Sequence, residues 1–185
     1  MTDARIATPA DVLVFWRQAG RDRWYKRDDA FDADIRNRFL ATWQKAAAGE
    51  LSSWEASDGG ALALIIVLDQ FPRNLFRGDP RTFSSDALAR EVARRAIDRG
   101  VDARTDPELR EFLYLPFEHS EDLDEQQRCV TLFRQYDCHP DNLKYAEDHA
   151  DIIRRFGRFP HRNRVLGRQT TAEEQAFLDA GGFSG

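Results

Sequence analysis

The sequence predicts an all-α fold in a single domain, residues 1–185, on three observations. Apolar residues recur at helical spacing, with Phe31, Ile35, Phe39 and Trp43 four apart as the clearest case. Start and stop signals punctuate the chain at matching intervals. Alternating β-branched runs of four or more residues, the signature of strands, are missing. A chain of 185 residues buries about 70% of its unfolded surface, so it needs no disulfide or structural metal to fold.

The elements follow in order. Thr8 as cap, Pro9 in the first helical position and Asp11 in the third open a helix carrying Val12, Leu13, Phe15 and Trp16, and Gly20 ends it. The Phe31–Trp43 stripe makes a second helix, with Gly49 past its last turn. Residues 60–71 are apolar on every side, which predicts a central, surrounded helix, and Pro72 is expected to end it at Phe71. Ser85 to Arg99 is amphipathic, with Leu88, Val92 and Ala96 inward and Gly100 as stop. Asp106-Pro107-Glu108 opens the next helix, which Pro116 interrupts, and Ser120 is the expected cap of the one after. Pro140 begins a long helix whose inward stripe reads Tyr145, Ala146, His149, Ile152, Ile153 and Phe156, closed by Gly157. Thr171 with Glu174 has the spacing of a capping box. The expectation is seven to nine helices in antiparallel pairs.

Composition narrows the function. The net charge of −5 argues against nucleic acid or an anionic membrane as a general partner. The longest apolar run, ALALIIVL, is eight residues and too short to cross a bilayer. The N-terminus lacks the pattern of a signal peptide, and Cys129 and Cys138 form no zinc or disulfide framework, so a cytoplasmic home is expected. Cys129 lies on an apolar stripe and reads as a core thiol. Phosphate loops, nucleophile elbows and cysteine-protease signatures are not found, and the sequence leaves any cofactor unknown.

Two stretches echo each other: DQFPRNLFRG at 69–78 and RFPHRNRVLGR at 158–168. On one reading each Phe is the last buried residue of a helix, Pro stops it, and Arg-Asn satisfies the free carbonyls. On the other, Arg73, Arg77, Arg162 and Arg168 converge on one anion, which a guanidinium grips with two parallel hydrogen bonds. Charge is segregated too: residues 154–168 hold six Arg and no acid, whereas 118–125 hold five acids. Asp69 sits in the all-apolar helix near its negative end, so it must be neutral or paired, with Arg73 or His149 as partner. In PFEHSED the order Glu-His-x-Glu departs from the Glu-x-x-His of helical di-metal sites, and no metal is expected. Trp16 and Trp43 read as core, while Trp24 and Trp54 are candidates for a surface platform.

LDQFPRNLFRG, FLYLPFEHSEDLDEQQ and HADIIRRFGRFPHRNRVLGRQTTAEEQAFL together resemble the bacterial domain-of-unknown-function family 924, from about Val12 to Phe183. The resemblance implies an all-helical, tetratricopeptide-like array and no particular activity. A repeat with the usual period of about 34 residues is not found, so the array would be divergent.

Three readings remain in view, one of them purely structural, with the motifs only locking helix ends together. The first is a polar pocket for a small anionic metabolite, with Asp69, Glu118, His119 and His149 as catalytic candidates if there is hydrolase-type acid–base chemistry. Arg73, Asn74, Arg77, Arg158, His161, Arg162 and Asn163 would bind the ligand. The second is an interaction scaffold presenting a groove to an acidic peptide, with no catalysis. Whether the protein is an enzyme is left open.

Overall fold

The computed structural model describes residues 5–136 and 138–183. Its helices, in chain order, are α1 Pro9–Ala19, α2 Arg21–Trp24, α3 Asp29–Ala47, α4 Asp58–Ile65, α5 Phe71–Leu75 and α6 Asp86–Asp98. They continue as α7 Val101–Arg104, α8 Pro107–Arg110, α9 Leu115–Glu118, α10 Leu123–Gln135, α11 Pro140–Phe156 and α12 Ala172–Asp179. No strand occurs among the described residues, and eight helical stretches reach seven residues or more, within the expected range.

A single apolar rod forms the axis. α4 passes through a π-helical turn, Ile66–Gln70, directly into α5, and residues 60–72 are buried throughout. Such a helix needs neighbours on all sides, and α1, α3 and α6 supply them. Gly60 marks the tightest approach: a Cβ there would lie 2.0 Å from the Trp54 carbonyl oxygen. α10 and α11 pack on each other and on α9.

Pro72 does not end the helix at Phe71, because the backbone rearranges around it. In the π turn the Phe71 N–H donates to the Ile66 carbonyl, five residues back. Pro72 has no N–H for the Leu68 carbonyl, which instead accepts the Ser85 hydroxyl at 2.6 Å. The next carbonyl, of Asp69, accepts Arg73 Nη1 at 2.5 Å. The Ser85 side chain thus replaces the bond the proline removes, Arg73 braces the adjacent carbonyl, and the rod continues for a further turn.

Other local readings need correction. Pro116 lies inside α9, and the irregular turn is the 3₁₀ segment Glu111–Leu113 before it. Asp122, not Ser120, caps α10, accepting the N–H groups of Asp124 and Glu125; Ser120 accepts from Asp122. Tyr145 is half exposed, whereas Ala146, His149, Ile152 and Ile153 are buried. Trp24 is core: it stacks on Trp16 at 6.0 Å and donates Nε1 to the Trp16 carbonyl at 2.8 Å. The capping boxes at Thr8–Asp11 and Thr171–Glu174 form as the sequence predicts.

Candidate functional site

The π turn does more than admit Pro72: it carries Asp69. This carboxylate is fully buried, receives Gln70 Nε2 at 2.6 Å, and faces His119 Nδ1 at 2.8 Å and Arg73 at 3.5 Å. Burial works against its charge, but Arg73 and His119 outweigh it and hold the pKa below the ordinary carboxylate value. With Asp69 ionised, the shared hydrogen sits on His119 Nδ1, which leaves the Nε2 lone pair free to act as a base.

Arg73 also forms a two-pronged pair with Asp86, at 3.1 and 3.3 Å. Asp86 is the first residue of α6, where the helix dipole favours an anion. Its Oδ2 lies 3.9 Å from Nη1 of Arg162, in the 3₁₀ turn Pro160–Arg162. One arginine from each echoing stretch, Arg73 and Arg162, therefore faces one carboxylate.

Arg162 is the anomaly. Its guanidinium is pinned between the rings of Phe83 and Phe159, 4.5 Å from each centroid, with the residue only 7% exposed. Its Nε is buried without a partner among the described residues, and its Nη1 comes no nearer to the Asp86 carboxylate than 3.9 Å. Burial, with Arg73 adding repulsion, lowers its pKa to about 10, so it stays charged at neutral pH. A buried guanidinium with unsatisfied donors is costly unless something else meets it.

The remaining groups complete a ring of titratable side chains. Glu118 is buried, and burial together with the charges of Asp69 and Glu111 raises its pKa to about 8, so it is protonated at neutral pH. His149 Nδ1 lies 3.8 Å from Glu118 and 2.8 Å from the Tyr145 carbonyl, to which it donates. Burial lowers the His149 pKa to about 4. For His161, burial and Arg162 lower it to about 3, and its Nδ1 has no partner. A protonated carboxyl beside neutral imidazoles gives one cluster both a proton donor and proton acceptors.

Four expected ligand-binding residues stand elsewhere. Asn74 and Arg77 hold Asp32 of α3, with Asn74 at 2.7 Å and Arg77 at 2.5 and 3.0 Å. Arg158 makes a two-pronged pair with Glu174 at 2.6 and 2.8 Å, and Asn163 donates to the same carboxylate at 3.1 Å. Arg168, expected to join the anion, grips Glu121 at 2.6 and 2.9 Å. These side chains fasten neighbouring elements. Sequence reasoning missed Asp86, Gln70 and Phe83. A nearby carboxylate, Glu111, shows what a satisfied buried charge looks like: Arg21, Tyr25 and Asn142 all donate to it.

Residues 12–182 match the family described as bacterial protein of unknown function (DUF924). The chain belongs to that family. It is similar to a solved structure, that of the protein of unknown function ATU0120 from Agrobacterium tumefaciens, at 46% identity and a TM-score of 0.90. The match covers 94% of this chain and 97% of that one. The chain matches no curated protein. Family membership thus carries the fold, and the chemistry must be argued from the cluster. Among the described residues, no helix is long and apolar enough to cross a membrane, and no group of three or more His, Cys, Asp or Glu is placed to hold a metal ion.

Proposed function

We propose that the buried cluster binds a small anion, a phosphate- or carboxylate-bearing metabolite, at Arg162, and carries out acid–base chemistry on it. The observation that carries this reading is the Arg162 guanidinium, buried between two rings with its Nε unpartnered among the described residues. An anion there would receive the two-pronged bonds a guanidinium is shaped to give, with His161 Nδ1 as a further partner. His119, oriented by Asp69, and His149 would take protons, and Glu118 would give one. The scaffold reading calls for open arginines along a groove, and Arg77, Arg158 and Arg168 are instead each engaged by a carboxylate of the same chain.

The test is thermal unfolding with inorganic phosphate and with simple carboxylates. An anion at a hundred times its dissociation constant raises the midpoint by roughly 5–11 °C in a chain this size. The shift is expected in the wild type and absent in Arg162→Met. A shift that survives Arg162→Met, or none at saturating anion, contradicts the proposal.

A further inference from the structure

One cavity of about 430 Å³ opens between α11, α12 and the residues that follow α12. Its wall is mostly apolar, made by Tyr145, Ile152, Phe156, Phe177 and Phe183, and the polar cluster meets it at His149. That size falls within the range of small-molecule sites. The charges on its rim are already matched: Asp148 with Lys144, Asp151 with Arg154, and Arg155 with Glu173. A ligand in this cavity therefore meets rings and aliphatic surface, with imidazole at its inner end.

His149 is one side chain thick between this cavity and the cluster. It lines the cavity, and its Nδ1 lies 3.8 Å from Glu118 on the other side. Phe183 packs its ring 4.4 Å from His149 and 5.1 Å from His161. Both imidazoles lie 5.5 Å from Phe159, and Arg162 rests on that same ring at 4.5 Å. Aromatic contacts thus run from the cavity to the Arg162 guanidinium, whose Nε has no hydrogen-bond partner among the described residues.

We infer that the cavity is the second half of the anion site, and that the ligand is an amphiphilic anion. Its charged head would sit at Arg162 and His161, and an aromatic or short aliphatic group would fill the cavity against Phe183 and Phe177. This rests on the anion-binding reading and adds the substrate class. It assigns His149 to the junction: its ring separates the two halves in this structure and must turn aside for one ligand to span them.

The experiment compares calorimetric affinities of the full chain for inorganic phosphate and phenyl phosphate, and for acetate and phenylacetate. The preferred head is the one whose pair binds more tightly. Burying a phenyl group is expected to make its member of the pair bind at least about tenfold more tightly. Phe183→Ala and Phe177→Leu should each reduce that ratio severalfold while leaving the affinity for the bare anion nearly unchanged. A ratio near one in the wild type, with the bare anions still binding, overturns the cavity's role and spares the anion site. A high ratio retained in both variants also overturns it, because the ring then lies elsewhere. Binding by none of the four probes removes both proposals.

Discussion

The two echoing stretches each bring one arginine, Arg73 or Arg162, to the carboxylate of Asp86, one closely paired and the other at 3.9 Å. In residues 69–78, Phe71 and Pro72 sit inside a continuous helix, and Arg73 is paired with Asp86 and Asp69 and bonded to a main-chain carbonyl. In residues 158–168, Pro160 instead opens a 3₁₀ turn after the helix has closed at Gly157. Arg162 reaches Asp86 only at 3.9 Å. The shared words therefore do not end two helices in the same way, as the sequence suggests. They share a buried Phe, an Arg directed at Asp86, and an Asn that fastens a neighbouring element. Arg73 has its desolvation offset by close partners, whereas for Arg162 the more distant Asp86 and Glu121 offset it only in part, although a Met would fill the slot between Phe83 and Phe159 without that penalty. The comparison separates an arginine that holds the fold from one left free to hold a ligand.

The largest expected effect on that contrast is proton-linked. Asp69 of the first stretch helps keep Glu118 protonated, while Arg162 of the second helps keep His161 neutral. The Glu118 pKa is raised from 4.5 to about 8, so the folded state binds the extra proton and stability is lost as pH rises through that window. Glu118→Gln should match the wild type near pH 4 and exceed it by a few kcal/mol, on the order of one per pH unit across the window, at pH 9. For His149 and His161 the folded values, about 4 and about 3, lie below the ordinary 6.5. Their contribution is present above pH 6.5 and fades as pH falls toward those values. Urea unfolding across pH 4–9 reads both limbs, and a Glu118→Gln curve parallel to the wild type would show that folding does not raise the Glu118 pKa.

A smaller effect tests why the first stretch can hold a proline at all. Ser85 donates to the Leu68 carbonyl freed by Pro72 and accepts from Trp43 Nε1 at 3.2 Å. Ser85→Ala orphans both groups and should lower stability by about 1–3 kcal/mol in urea unfolding. Anion binding should be unaffected. A neutral result would mean the rod continues past Pro72 without that support.

Helix positions and most of the core were legible because periodicity and caps are local: Phe31, Ile35 and Phe39 are all buried, as their spacing implies. Asp69 was legible as a buried acid that needs a partner, since an apolar helix cannot hold a lone charge. His119 as that partner was not, because it lies 50 residues away and only the tertiary fold joins them. Asp86 was hidden by a sufficient local explanation, an acid in the first turn of a helix. The intrachain partners of Asn74, Arg77, Arg158 and Asn163 were not legible, because an arginine-rich run reads the same whether its partner is a ligand or another helix. The π turn left no mark in composition, so Pro72 was read by its ordinary rule.

The most direct measurement of the central claim is the stability of Arg73→Met and Arg162→Met by urea unfolding at neutral pH, without added anion. Arg73→Met leaves Asp69 and Asp86 buried without their main cation and should cost about 3–5 kcal/mol. Arg162→Met should stay within about 1 kcal/mol of the wild type or exceed it, since it removes a desolvated charge whose Nε is unpartnered among the described residues. Equal, large losses in both variants would contradict the account and make Arg162 a structural residue like Arg73.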